Sequence, residues 1–410
     1  MMKKISPFAP KIIKHFNIIK GINVSSTHCG LKKNQKDDLV LITFKKSCKI
    51  LGFFTSSKTP GEPIKWNRGI IKHRKVSAIL INSGIANVNT GADGKKAIDE
   101  IVRYLSIKLK INHKEIYIAS TGVIGEKLDK NKIINSLPKL IRSQSNNRDS
   151  WISAAKAITT TDTFSKIYSK KINIEDQNLI INGIAKGSGM IEPNMATMLA
   201  FLFTNFDSEK MIMKKLIQPL IEESFNSITV DGEMSTSDMV LIVYGIKENN
   251  NKRILNHIKF NKFQENLLDA MISLSKLIIS DGEGISKFIT IKVKNADNYK
   301  NAKKIAKSIA NSLLFKTAMS GNDFNWGRIL MAIGKVQIEI IHKKISIKFG
   351  NFEIIKNGKV LEYSESKVKN YIKKGIINLE IKLGMGNEYC RVWTCDITKE
   401  YVSINSDYRS

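Results

Sequence analysis

The chain has 410 residues, 42% of them hydrophobic and 25% charged, which is material for a buried core and for two to three structural domains. No stretch approaches the ~18 consecutive apolar residues of a membrane span, so a spanning protein is excluded. The 66 lysines and arginines exceed the 37 acidic residues to give +29, yet the densest pairs (Lys32-Lys33, Lys170-Lys171, Lys373-Lys374) stand isolated among Ile and Asn. That dispersion predicts a global compositional bias, with no nucleic-acid and no membrane partner.

Strand and helix signals alternate along the chain, which predicts an α/β fold of mixed sheets packed with helices. The N-terminus is basic but lacks the apolar run of ~7–15 residues that a secretory signal needs, so the expected address is cytoplasmic. Residues 76–82 form a buried strand ending in a turn at Asn82-Ser83-Gly84. Ala97, Ile101, Tyr104 and Leu105 mark a helix over 97–108, and 116–119 return to strand. Asp207 and Ser208 are N-cap candidates for a helix to about Phe225, with a kink or break at Pro219. Phe263, Leu267, Leu268, Met271, Leu274 and Ile278 predict an amphipathic helix. Ile289, Ile291 and Val293 alternate, as do Ile377, Leu379, Ile381 and Leu383. Both runs predict half-buried strands of antiparallel type, because one face is polar.

The four cysteines, Cys29, Cys48, Cys390 and Cys395, are too few for a disulfide scaffold and predict separate buried thiols. Cys390 and Cys395 do not have zinc-knuckle spacing. The six histidines form no His-x3-His or His-Glu-x2-His pattern, so no metal site is expected.

The most informative run is 184–199, Ile-Ala-Lys-Gly-Ser-Gly-Met-Ile-Glu-Pro-Asn-Met-Ala-Thr-Met-Leu. A threonine is a weak nucleophile unless a base sits beside it, and a threonine at a chain start has its own α-amine for that purpose. The run has the form of a cut site: a glycine-rich approach, Pro193 holding the chain extended, then small Ala196 ahead of Thr197. On residue type alone, Thr197 would be an ordinary threonine opening the strand from Met198 to Phe203. Three other segments read as local structure when taken singly. Ser120-Thr121-Gly122-Val123-Ile124-Gly125 is a strand end and turn whose glycines expose backbone N–H groups. Thr160-Thr161-Asp162-Thr163 is an N-cap or Asx-type turn. Asp281-Gly282-Glu283-Gly284 is a helix C-cap, and Asp231-Gly232-Glu233 is a structural acidic turn.

Together these segments resemble the ornithine acetyltransferase family, the bifunctional glutamate N-acetyltransferases of arginine biosynthesis. The resemblance spans nearly the whole chain and includes Asn82-Ser83-Gly84 through Gly91, Asn322 through Arg328, and Trp393-Thr394-Cys395-Asp396. It implies self-cleavage between Ala196 and Thr197, giving chains 1–196 and 197–410 that stay intertwined. It implies Thr197 as nucleophile, with Thr121 and Gly122 as oxyanion hole. It implies substrate contacts from Thr160, Lys186, Thr197, Glu283, Asn405 and Ser410. The activity implied moves acetyl from N²-acetylornithine to glutamate through an acetyl-threonine, within a heterotetramer of two cleaved pairs.

No cofactor is implied, since the acyl-enzyme carries the group, and acetyl-CoA stays open as a second donor. A rival reading is an N-terminal-nucleophile amidase or aminopeptidase with water as acceptor, against which the amino-acid contacts Lys186, Glu283, Asn405 and Ser410 argue. The chain departs from the family pattern at Ile85, Asn89 and Phe324, and its last residue is Ser410 where the family commonly has threonine. The terminal segment 401–410 is rich in aromatic and aliphatic residues and is expected to dock.

Overall fold

Two strands in the middle of the chain show no polar alternation, Leu-Ala-Phe-Leu-Phe-Thr and Met-Val-Leu-Ile-Val-Tyr, and every residue in both is buried. A strand of that kind needs cover on both faces, and the fold supplies it. The computed structural model describes residues 4–10, 15–174, 177–192, 198–247 and 257–407. Its larger sheet contains β1 (Ile22–Thr27), β2 (Leu39–Phe54), β3 (Lys75–Ile85), β4 (Ile116–Val123), β5 (Lys166–Ile174), β6 (Gln177–Lys186), β7 (Leu199–Thr204) and β8 (Met239–Tyr244). The spatial order is β4-β3-β2-β8-β7-β6-β5, with β1 paired to β2. The helices around it are α1 (Glu62–Ile70), α2 (Gly91–Leu109), α3 (Lys130–Arg142), α4 (Arg148–Ala157), α5 (Lys210–Glu223) and α6 (His257–Ile279).

Ala200, Leu202, Val240 and Ile242 face α5 and α6, meeting Met213, Ile217, Leu267, Met271 and Leu274. On the opposite face Phe201, Phe203, Leu241 and Val243 meet Trp151, Ala154 and Ala155 of α4. Trp151 and Phe203 pack edge to face with ring centroids 5.1 Å apart.

A second sheet follows, built from β9 (Phe288–Ala296), β10 (Ser346–Phe349), β11 (Phe352–Lys356), β12 (Lys359–Val360), β13 (Ile376–Lys382) and β14 (Glu388–Cys395), in the order β12-β11-β10-β13-β9-β14. It is covered by α7 (Tyr299–Ala310), α8 (Leu313–Ser320), α9 (Trp326–Gly334) and α10 (Glu365–Lys373), and the chain ends in α11 (Lys399–Ser406). The mixed α/β class expected from the sequence is the class observed.

Four local expectations are corrected. Asn82-Ser83-Gly84 is not a turn: β3 continues to Ile85 and pairs in parallel with β4, Ser83 opposite Thr121 and Gly84 opposite Gly122. β9 and β13 are mutually parallel, although β9 pairs antiparallel with β14 and β13 with β10. Alternation reports one buried face and carries no information about strand direction, and here the long excursion between β9 and β13 restores the original sense. Helix α5 runs past Pro219 to Glu223 without a break, and its N-cap is Glu209. Asp207 is drawn away from capping by Lys49 at 2.7 Å and Lys247 at 2.8 Å. All four cysteines are free, with Cys29 half-buried and the other three buried.

Strands β6 and β7 flank the motif that contains the expected cut. They pair antiparallel with Lys186 opposite Leu199, so the sheet positions before and after the motif are neighbours. The larger sheet therefore takes strands from both sides of the Ala196–Thr197 bond. Among the described residues no helix is long and apolar enough to cross a membrane.

Phe201 is fully buried between the helix layers. Phe201→Ala should lower unfolding stability by about 3–5 kcal/mol, read as a shifted urea midpoint with an unchanged slope.

Candidate active site

A cavity of about 270 Å³ opens where β4, β6, β7 and the loop before β8 end beside one another. Thr121, Gly122, Thr160, Lys186, Glu283 and Asn405 all line it, although they are scattered across most of the chain. Ile191 and Met198, on either side of the expected cut, line it as well. Pro193, Asn194, Met195, Ala196, Thr197 and Ser410 lie outside the described residues.

Thr121 and Gly122 end β4. Gly122 has φ +134°, and a Cβ there would stand 2.2 Å from the Gly84 carbonyl carbon, so only glycine permits the two parallel strands to approach this closely. The Thr121 hydroxyl accepts a hydrogen bond from Lys186 Nζ at 3.1 Å. An ammonium is donor-only, so the hydroxyl proton of Thr121 remains free to donate elsewhere.

The approach to the expected cut is pinned residue by residue. Gly187 N donates to Asp162 Oδ1 at 2.8 Å and the Ser188 hydroxyl to the Asp281 carbonyl at 2.5 Å. Met190 N and Ile191 N donate to the two carboxylate oxygens of Asp231, at 2.7 and 2.8 Å. Val230 N donates to Ile191 O at 2.7 Å, and on the far side Met239 N donates to Met198 O at 2.9 Å. Gly189 leaves room for the Glu283 carboxylate, which would lie 2.4 Å from a Cβ at that position.

Beneath the cavity lies a fully buried ion cluster. Lys166 Nζ donates to Asp162 Oδ1 and to Asp281 Oδ2, each at 2.6 Å. Asp281 also accepts from the backbone and hydroxyl of Thr163, and Asp162 from Thr160 N at 3.0 Å. Burial alone would raise the Asp162 carboxyl, but the charges of Lys166 and Lys186 hold it below the usual carboxylate range. Desolvation pulls the Lys186 ammonium below the usual lysine range, and Lys166 adds repulsion in the same direction. Burial raises Glu283, opposed by bonds from Asn405 and Thr161. Asn405 Nδ2 donates to Glu283 Oε2 at 2.7 Å.

Two readings of the sequence change here. Of the two local readings of Thr160-Thr161-Asp162-Thr163 the N-cap fails, since the segment follows α4 and precedes β5, and its acid belongs to the ion cluster. The terminal segment docks through polar contacts. Tyr401 donates to Asp231 at 3.2 Å and Thr398 to the Gly284 carbonyl at 2.7 Å, while Val402 remains 62% exposed. The residues that sequence reasoning missed are Lys166, Asp281 and the loop Ser235-Thr236-Ser237-Asp238, which forms one wall of the cavity. The i,i+4 spacing of Asp162 and Lys166 was a visible signal, though weak in a lysine-rich chain.

The ArgJ family model matches residues 23–410. The chain is 38% identical, over 100% of both sequences, to a Bartonella henselae protein named arginine biosynthesis bifunctional protein ArgJ. It is 39% identical, over 99% of itself and 97% of the relative, to the mitochondrial protein of that name from Candida albicans. Among solved structures, an ArgJ from Bacillus halodurans aligns at TM-score 0.49 with 35% identity, over 51% of this chain and 99% of that one. An ornithine acetyltransferase from Mycobacterium tuberculosis, complexed with ornithine, aligns at TM-score 0.40 with 25% identity, over 43% of this chain and 93% of that one.

Removing the amine of Lys166 leaves two buried carboxyls facing one another. Lys166→Ala should cost about 3–5 kcal/mol in a denaturant titration, because an unpaired buried charge remains. The depressed Asp162 contributes stability that is complete above its unfolded value of about pH 4 and is lost as pH falls through its lower folded value. Asp162→Asn should therefore flatten the acid limb of the stability profile.

Proposed function

This chain belongs to the ArgJ family, and from that membership we propose that it is a self-processing acyltransferase of arginine biosynthesis that moves acetyl from N²-acetylornithine to glutamate. The observation that carries the reading is the convergence of Thr121, Gly122, Thr160, Lys186, Glu283 and Asn405 on one cavity bordered by Ile191 and Met198.

Processing comes first. Thr197 Oγ attacks the Ala196 carbonyl, the peptide nitrogen leaves as the new α-amine, and water hydrolyses the resulting ester. The products are a chain ending in the Ala196 carboxylate and a chain beginning with Thr197. In turnover the freed α-amine takes the Thr197 hydroxyl proton while Oγ attacks the acetyl carbonyl of N²-acetylornithine. The tetrahedral oxyanion accepts from the Thr121 hydroxyl and from Gly122 N–H. That hydroxyl keeps its proton for this bond, because the contact with Lys186 uses only its acceptor side. Collapse expels ornithine, protonated at the departing nitrogen, and leaves acetyl as an ester on Thr197. The glutamate α-amine then attacks the ester, releasing N-acetylglutamate and restoring the hydroxyl.

Lys186 holds the α-carboxylate that donor and acceptor share and Glu283 the α-amino group of the incoming glutamate, with Thr160, Asn405 and Ser410 completing the contacts. The ester carries the group, so the reading calls for no metal or organic cofactor. The assembly is a heterotetramer of two cleaved pairs, acting in the cytoplasm on free amino acids. Acetylglutamate formed from acetyl-CoA and glutamate alone would identify acetyl-CoA as a second donor.

The purified protein should run as two fragments, the second beginning Thr197-Met198-Leu199 on N-terminal sequencing. Thr197→Ala should stay a single inactive chain, and a fully active wild type intact at this bond would refute the amine as base. Thr121→Ala should lower kcat about 10²–10³-fold with KM nearly unchanged, the usual loss for one oxyanion donor. A raised KM with normal kcat would make Thr121 a binding residue instead. Product analysis should give acetylglutamate, whereas free acetate would indicate a hydrolase.

A further inference from the structure

The wall of the cavity formed by residues 235–238 has no role in the reading above, yet it is the most incompletely bonded part of the site. Three of its backbone carbonyls are tied down. Thr55 N donates to Asp238 O at 3.0 Å, Gly61 N to Thr236 O at 2.9 Å, and the Thr55 hydroxyl to Ser235 O at 2.8 Å. Ser235 Oγ accepts from Ser237 N at 3.2 Å, but the three side chains that follow keep open atoms. Thr236 Oγ1, Ser237 Oγ and Asp238 Oδ2 are buried polar atoms without a hydrogen-bond partner among the described residues, and all three residues line the cavity. Ser237 is 7% exposed and Asp238 3%. An unmade buried bond forfeits the solvation of its group, and native proteins seldom leave such groups unpaired. Three in succession on a rigid loop are the signature of a surface whose partners arrive with a ligand.

The chemistry of the two amino acids narrows what that ligand is. N²-acetylornithine ends its side chain in an ammonium and glutamate ends in a carboxylate, and both enter the same pocket with the same reacting nitrogen. A subsite for both ends must reverse its polarity. An ammonium or guanidinium only donates and an ionised carboxylate only accepts, whereas hydroxyls and a protonatable carboxyl do both. We propose that the side-chain oxygens of Thr236, Ser237 and Asp238 form the subsite for the distal end of both amino acids. They accept from the ammonium of the acetyl donor and donate to the carboxylate of the acetyl acceptor. This assignment rests on the acetyl-transfer reading above.

Two further features fit it. Burial pushes the Asp238 carboxyl well above the usual carboxylate range, against bonds from Ser235 and the charge of Lys186, so it can hold a proton in the open pocket. That proton is released to solvent when the ammonium binds and regained before the carboxylate binds. The other carboxyl of the cavity, Glu283, already has bonds from Asn405 and Thr161, which leaves Asp238 as the carboxyl with an open oxygen.

The test is steady-state kinetics of the full-length wild type and Asp238→Asn, with kcat/KM read separately for the two amino acids. An asparagine keeps a donor for a carboxylate but loses the charge for an ammonium. The value for N²-acetylornithine should fall about tenfold or more, and that for glutamate less than about threefold, as loss of one charge-assisted bond implies. With N-acetylnorvaline, which lacks the distal ammonium, wild type and Asp238→Asn should be equally poor. A merely structural role would lower all three together, and that result, or no change in any, overturns the assignment. Ser237→Ala provides a second reading even if Asp238→Asn does not fold. It should raise both KM values several-fold without changing kcat, because the hydroxyl serves both ends, and unchanged KM values overturn the proposal. A wild type that makes no acetylglutamate refutes the acetyl-transfer reading itself, whereas a competent wild type that fails these comparisons refutes only the subsite.

Discussion

The ammonium of Lys166, buried between Asp162 and Asp281, is the constraint from which the rest of the site is hung. Two charges taken out of water are costly unless their remaining bonding capacity is met, and here it is met by the site itself. Asp162 takes Gly187 N and Thr160 N. Asp281 takes Thr163, and its backbone carbonyl takes the hydroxyl of Ser188. Ser188 in turn receives Glu283 N at 3.2 Å. One ion cluster thus fixes the start of the glycine-rich approach, the threonine loop and the acidic turn after α6. It also joins residues from both sides of the proposed cut, so cleavage would leave a buried electrostatic link between the two chains.

Above that cluster the cavity carries a second layer of charge: Lys186, Glu283 and Asp238. Lys186 feels attraction from Asp162, Asp238 and Glu283, yet desolvation dominates and its ammonium remains below the normal range. The consequence for chemistry is a cation held beside the proposed oxyanion hole by geometry, through its bond to Thr121, rather than neutralised by one strong partner. The opposite wall is hydroxyl-rich. A pocket with one donor-only pole and one pole of reversible polarity suits amino acids that share a reacting end and differ in the charge at the other.

Much of the architecture was legible because its signals are local. The helical spacing in α6, the alternation in β9 and β13 and the unbroken apolar run of β7 each report a buried face. What was not legible is relational. Alternation in β9 and β13 could not reveal that these strands lie parallel, and Asn82-Ser83-Gly84 looked like a turn because small polar residues end most strands. In this fold they continue one, since Gly84 must pass within contact of Gly122. Pro219 was expected to kink or break α5, and the helix continues past it. At the site, the described candidates that came with whole motifs line one cavity. Lys166 had no motif to announce it and Asp238 closed a stretch, 230–238, that read as structural, and their importance lies in burial and in missing or multiple partners, which only coordinates display.

The central claim is that acetyl rests on Thr197 between its two owners. It is tested most directly by intact mass measurement of the processed protein after incubation with N²-acetylornithine alone. The account predicts an increase of one acetyl group on the fragment that begins with Thr197, removed when glutamate is added and recovered as acetylglutamate. Acetylglutamate produced at the normal rate with no acetylated fragment at any time, together with intersecting double-reciprocal kinetics, would contradict it and establish direct transfer between the two bound amino acids.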